Sequence, residues 1–284
     1  RAVETSDPTE PMTALTEGLT QCNNAAFDVS EIISATYFTH SGDSRQSVGA
    51  CAMHLEVTHE TRYDYLPPVE VAQHMAYLRP WNTVAQELLS HDLQVEPRPA
   101  QQTEAVDVYG NRRTFIALQT PHAQLRVVAR STLRTHTRPM PASTVAWEQV
   151  RERFRYRADA VYDPAAEFVF ASQHVPRSTE FAAYARPSFP AGASMLDGAL
   201  DLMHRIHAEF TYDNRSTQIN TPAQQALAQR KGVCQDFAHI MIAGLRSMGL
   251  AARYVSGYLL TEPAPGTPRL LGSDASHAWV SVLL

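Results

Sequence analysis

Hydrophobic positions change their spacing more than once along this chain. From Met53, apolar and polar residues alternate: Leu55 and Val57 fall on one face, and Leu93 and Val95 repeat the pattern. A period of two is that of a half-buried strand. Phe115-Ile116-Ala117-Leu118 and Leu125-Arg126-Val127-Val128-Ala129 are denser runs that predict further strands. Between such runs, Asp107-Val108-Tyr109-Gly110-Asn111-Arg112 predicts a turn in which positive φ is available. Pro67-Pro68, Pro97 and Pro99 punctuate the segment. Short strands at this spacing predict a β-rich, sandwich-like or open-barrel domain over 53–140.

The spacing then becomes helical. Residues 141–192 read as a proline-rich connection with short helices over 144–154 and 178–184, the second capped by Ser178 or the residue before it. Met195, Leu196, Ala199, Leu200, Met203, Ile206 and Phe210 recur every three or four positions and predict one amphipathic helix. Thr221-Pro222 reads as a cap followed by proline at the first helical position, with Gly232 as the stop. The next helix opens at about Cys234, carries an apolar stripe at Phe237, Met241, Leu245 and Met248, and ends at Gly249. Strands over 252–260 and 276–284 flank a loop with three prolines. Residues 1–52 lack a sustained period and read as a flexible or non-native leader, with a small helical subdomain as the alternative.

Composition narrows the function classes. The 284 residues are 44% hydrophobic and 19% charged, ordinary for a globular chain of two domains. The net charge is -5, and the excess lies in the first 52 residues, where seven acidic side chains face two basic ones. A neutral body argues against nucleic acid as a partner. Cys22, Cys51 and Cys234 are the only cysteines, an odd number that makes a disulfide framework unlikely in composition terms and points to a reducing, cytoplasmic setting. No run reaches the roughly 18 apolar residues of a membrane span. No histidine, including His239, sits in a cluster with metal-ligand spacing, so neither metal nor cofactor is expected.

The candidate chemistry is a thiol. Cys234 lies in Gly232-Val233-Cys234-Gln235-Asp236-Phe237-Ala238, where a loop becomes a helix. A helix N-terminus or a nearby imidazolium can lower a thiol pKa to roughly 3.5–7.5. Unpaired first-turn N–H groups can also receive the oxyanion that forms at an attacked acyl carbon. Downstream, His277 in Asp274-Ala275-Ser276-His277-Ala278-Trp279-Val280 is placed to act as base. Taken singly, the cysteine reads equally as a small buried hydrophobe and the histidine as a satisfied polar group. Their order, helix-borne cysteine then strand-borne histidine, raises the catalytic reading.

These words resemble the transglutaminase-like superfamily, in particular the bacterial transglutaminase-like cysteine protease proteins. The resemblance is carried by Arg230-Lys231-Gly232-Val233-Cys234-Gln235-Asp236-Phe237-Ala238-His239, by Leu245 to Tyr258, and by Asp274 to Val280. Thr61-Arg62-Tyr63-Asp64-Tyr65 and Asp107 to Asn111 resemble the N-terminal region of the same proteins, so the resemblance spans 53–284. It implies an α+β chain: a β-rich domain followed by a papain-like, transglutaminase-like core over 193–284 with a Cys-His-Asp triad working through a thioester. Cys234 takes the place of the nucleophile and His277 that of the base. The family's third member is an aspartate on the following strand, and no aspartate follows His277 here. The core therefore reads as C-terminally truncated, with an expected loss of activity on the order of 10⁴ by analogy with hydrolytic triads.

Four further residues are candidates for the site. Gln235 offers a backbone N–H and a side-chain amide to an oxyanion. Asp236 steadies the helix start, or is simply a first-turn carboxylate. Tyr258 borders the cleft or packs as an ordinary tyrosine. Trp279 shares the face of His277 and walls the groove or belongs to the core. Asp274 is a lesser candidate, more simply a loop-end acid. The expected reaction is acyl transfer from a peptide or glutamine-like amide of a peptide or protein substrate, with water as acceptor. An amine acceptor and a non-catalytic binding module remain open alternatives.

Overall fold

The computed structural model describes residues 26–38, 52–136, 144–158, 161–213, 215–217, 220–259 and 276–283. The chain forms two compact units, one of Arg1–Pro139 with Ser256–His277 and one of Met140–Val255 with Ala278–Leu284. Among the described residues no helix is long and apolar enough to cross a membrane.

Among the described residues of Arg1–Pro139 there are seven antiparallel strands: β1 (Ala26–Phe38), β2 (Ala52–Val69), β3 (Ala72–Ala76), β4 (Gln86–Glu96), β5 (Gln101–Val106), β6 (Arg112–Leu118) and β7 (His122–His136). They form a four-stranded sheet in the order β1-β2-β7-β4 and a three-stranded sheet in the order β3-β6-β5. Tyr63 and Tyr65 of β2 and Leu125, Val127 and Ala129 of β7 share one buried cluster with Ala72, Ala76, Ile116 and Leu118 of the other sheet. Alternation thus does what the sequence predicts and makes a sandwich. At the tip of the β5-β6 hairpin Gly110 adopts φ +87, and the Asp107 carboxylate accepts from the N–H groups of Tyr109 and Asn111.

One reading changes here. β1 lies inside the segment read as a leader, yet it pairs with β2 from Ala26↔Leu66 to Phe38↔His54. Where the alternative reading allows a small helical subdomain, Ala26–Phe38 is strand. Phe27, Val29, Ile33, Ala35 and Tyr37 alternate with Asp28, Ser30, Ser34 and Thr36, a strand period that Glu31 and the Ile32-Ile33 pair interrupt. Residues 1–25 and 39–51, with Cys22 and Cys51, lie outside the described residues.

The second unit contains α1 (Trp147–Arg153), α2 (Thr179–Ala185), α3 (Met195–Glu209), β8 (Thr211–Tyr212), α4 (Ala223–Gln229), β9 (Lys231–Gly232) and α5 (Cys234–Ser247). β10 (Ala252–Tyr258) and β11 (Ser276–Val282) pair with each other, and β8 pairs with β9 in parallel. The sequence predicts one apolar stripe on α5. The structure instead buries the helix on nearly every face between Asp236 and Arg246, which is the condition of a core helix. Trp147, Phe181 and Phe189, from the stretch read as a connection, are buried in the same cluster as Ile240, Ile242 and Leu245 of α5. No structural division falls at 192/193.

Two helix ends also shift. α4 begins after Pro222, one residue later than expected, and ends at Arg230 rather than Gly232. Arg230 takes a left-handed φ of 56, uncommon for arginine. Its guanidinium lies 4.5 Å from the Tyr184 ring centre and 4.8 Å from that of Phe210, contacts that offset the strain. Ser178 caps α2 as expected, its hydroxyl oxygen accepting from the Phe181 N–H.

Candidate active site

The start of α5 is built by four consecutive constraints. β9 brings Lys231-Gly232 beside β8, and Val233 follows in extended conformation as the cap residue. Asp236, only 2% exposed, turns its carboxylate back. One oxygen accepts from the Val233 N–H at 2.8 Å and from the Thr217 hydroxyl at 2.7 Å. This is the return half of a capping box, and valine cannot supply the other half. Gly232 makes the approach possible, because a Cβ there would stand 2.6 Å from the same oxygen. Cys234 is then fixed as the first helical residue.

Its thiol is within hydrogen-bonding reach of the backbone at Ala278, Gln235 and Cys234 itself. Burial nevertheless pushes the thiol pKa up; the three backbone groups oppose this, and the Asp236 charge adds to the rise. The sequence predicts a lowered thiol, so this is a correction. Loss of water around the sulfur outweighs the helix terminus.

Cys234 also stands in the wall of a pocket of about 290 Å³. Met203 and Ile206 of α3, Phe237, Ala238 and Met241 of α5, and Ala278, Trp279 and Val280 of β11 complete it. Trp279 is therefore brought to the cysteine. Gln235 reaches it through its backbone, and Asp236 acts on it through the helix start. His277 occupies the second position of β11, next in sequence to Ala278. The Tyr258 hydroxyl lies 2.8 Å from Nδ1 of His59, whose Nε2 lies 3.0 Å from the Thr61 hydroxyl. Asp274 lies outside the described residues. His239 is buried between His174 and Tyr254, with ring centres 5.7 and 5.0 Å away. Burial pushes its pKa down to about 3, helped by the charges of His174 and Arg246. Among the described residues no group of three or more His, Cys, Asp or Glu could hold a metal ion.

Three neighbours of the thiol are not singled out as site residues by sequence. Met203 and Ile206 belong to the apolar face of α3, and periodicity marks them as core. Tyr212 is 62% exposed, packs edge-on against Phe237 at 6.4 Å, and has its phenol raised by partial burial and by the nearby Cys234. β8 is too short to carry a periodic signal.

Residues 55–134 match the family model of the bacterial transglutaminase-like N-terminal region, and residues 182–284 match that of the transglutaminase-like superfamily. An uncharacterized protein of Mycobacterium tuberculosis is 36% identical over 248 residues, covering 85% of this chain and 77% of that protein. A second, from Mycobacterium leprae, is 28% identical over 230 residues, covering 80% and 78%. Among solved structures, a candidate cysteine protease from Cytophaga hutchinsonii superposes with a TM-score of 0.58 at 19% identity, covering 90% of this chain and 75% of that one. That likeness is one of fold.

Proposed function

This chain belongs to the transglutaminase-like superfamily, and from that membership we propose that it is a thiol-dependent acyl-transfer enzyme, hydrolysing a peptide or glutamine-like amide in a peptide or protein substrate. The observation that carries the reading is the seat of Cys234: first residue of a core helix, sulfur facing backbone N–H groups, in the wall of a pocket. The sulfur attacks the carbonyl carbon, and the oxyanion is received by first-turn N–H groups. His277 gives its proton to the departing amine as the C–N bond breaks, leaving a thioester. Water then attacks with His277 taking its proton, and the acid departs as the thiolate is restored. Because burial raises the thiol, the imidazolium of His277 has to supply what the helix terminus does not. A reducing, cytoplasmic setting suits a free nucleophilic thiol.

One observation favours a second reading. A thiol raised by burial is also that of a binding module that keeps the cleft and not the chemistry. Alkylation of Cys234 by iodoacetamide across pH, with Cys234→Ala as control, separates the two. The enzyme reading expects labelling at neutral pH faster than that of a free cysteine, with that fast component lost in the variant while any labelling of Cys22 and Cys51 persists. A midpoint at or above the ordinary value of about 8.5 supports the binding module.

A further inference from the structure

We propose that the pocket beside Cys234 receives a bulky apolar side chain on the acyl side of the bond under attack. The substrate is then a peptide cleaved after a residue such as leucine, methionine or phenylalanine. This inference rests on the acyl-transfer reading above and narrows it.

The carbonyl carbon attacked by a thiol lies within bonding reach of the sulfur. The side chain borne by the neighbouring carbon must therefore occupy the space that borders the sulfur. Here that space is the pocket of about 290 Å³ with Cys234 in its wall. Sites for whole small molecules run to about 300–1,000 Å³, so this one suits a single large side chain. Its walls are Met203, Ile206, Phe237, Met241, Trp279 and Val280 around the thiol, and among the described residues that line it there is no charged side chain, carboxamide or carboxylate. A glutamine or glutamate side chain placed there loses its water and meets walls that are almost wholly apolar. Two methionines in the wall let the pocket adapt to more than one apolar shape. A side-chain carboxamide under attack presents only an unbranched methylene on its acyl side and leaves the pocket empty. A main-chain carbonyl brings a side chain that fills it. During the reaction the acyl residue remains bonded to sulfur with its side chain in the pocket until water releases it as the acid.

The test measures alkylation of Cys234 in the full chain by N-acetyl amino-acid chloromethyl ketones, with leucine, phenylalanine, alanine, glutamine and glutamate side chains, followed by mass spectrometry. Iodoacetamide is the side-chain-free reference. The leucine and phenylalanine reagents are expected to react about 10–200-fold faster than the alanine reagent, the range one hydrophobic contact gives, with glutamine and glutamate no faster than alanine. Met203 is 43% exposed, so a charge is tolerated there. Met203→Glu should bring the leucine-to-alanine ratio to about one, and Met203→Leu should keep it. Uniform rates across the panel, or a preference for glutamine, while iodoacetamide reacts briskly, overturn the subsite and leave the nucleophile standing. A Cys234 inert to iodoacetamide at every pH overturns the acyl-transfer reading, and the subsite with it.

Discussion

Two helices of the second unit begin with the same spacing and different chemistry. α3 opens with Ser194-Met195-Leu196-Asp197, and α5 with Val233-Cys234-Gln235-Asp236. In α3 the Ser194 hydroxyl oxygen accepts from the Asp197 N–H at 3.1 Å and donates to the Asp197 carboxylate at 2.7 Å. The cap is closed on itself and faces solvent. In α5 valine has no acceptor to offer, and only the return bond from Asp236 exists. One first-turn group that a cap would engage, the Gln235 N–H, reaches the sulfur instead. Giving up such a cap costs roughly 0.5–2 kcal/mol. A local rule broken in this way, beside a half-buried thiol, is what a functional site looks like against a structural one.

In the proposed reaction the largest expected effect comes from removing the imidazole assigned as base. Burial taken alone leaves less thiolate at any given pH than in free cysteine. An adjacent imidazolium works in the opposite direction. His277→Ala should therefore move the alkylation midpoint of Cys234 above about 8.5 and slow turnover by about 10²–10⁴-fold. A pH profile unchanged by the substitution would mean that the open helix terminus alone sets the thiol, and the contrast between α5 and α3 would then carry the whole chemistry.

A smaller effect should follow from crowding the return bond. In Gly232→Ala the new Cβ meets the Asp236 carboxylate oxygen at 2.6 Å and its Cβ at 2.7 Å, closer than real contacts allow. Either the carboxylate leaves Val233 and Thr217 or β9 shifts. The loss of one charged, buried cap should lower stability by about 1–3 kcal/mol in urea or thermal unfolding. It should also slow alkylation of Cys234, because the residue it displaces seats the helix. A variant that melts with the parent would show that the Asp236 contact does not fix the start of α5.

How much of this was legible follows from the range over which each feature acts. The start of α5 is written in five consecutive residues, and sequence placed Cys234 at its first turn. The burial of α5 was underread, because helical period ranks the faces of one helix and says nothing about Phe181 and Ala185, which pack against it from far along the chain. Tyr258 and Trp279 looked alike as strand aromatics near the cleft. Trp279 stands in the Cys234 pocket, and the Tyr258 hydroxyl meets His59, 199 residues away, a contact that no local pattern announces. The direction of the thiol shift was misjudged for a related reason. A helix terminus is local and readable, but burial is a sum over distant neighbours. The pocket was invisible, since an unfilled space between α3, α5 and β11 has no residue of its own to betray it.

The smallest effect is the most direct test of the comparison, and it exchanges the two caps. Val233→Ser gives α5 the acceptor it lacks, in a position whose extended backbone is already that of a cap residue. Serine at this position accepts from the second or third N–H of the helix, and the second belongs to Gln235, one of the groups that now reaches the sulfur. Helix stability should rise by about 1 kcal/mol, while alkylation of Cys234 at neutral pH should slow. Ser194→Ala in α3 should lower stability by a similar amount and leave alkylation alone, since no part of that cap meets the thiol. The informative outcome is the opposite signs in the first variant: a more stable protein with a less reactive cysteine. If Val233→Ser stabilises the chain without slowing the thiol, the sulfur does not depend on the uncapped donors, and the openness of α5 is a packing accident rather than part of the site.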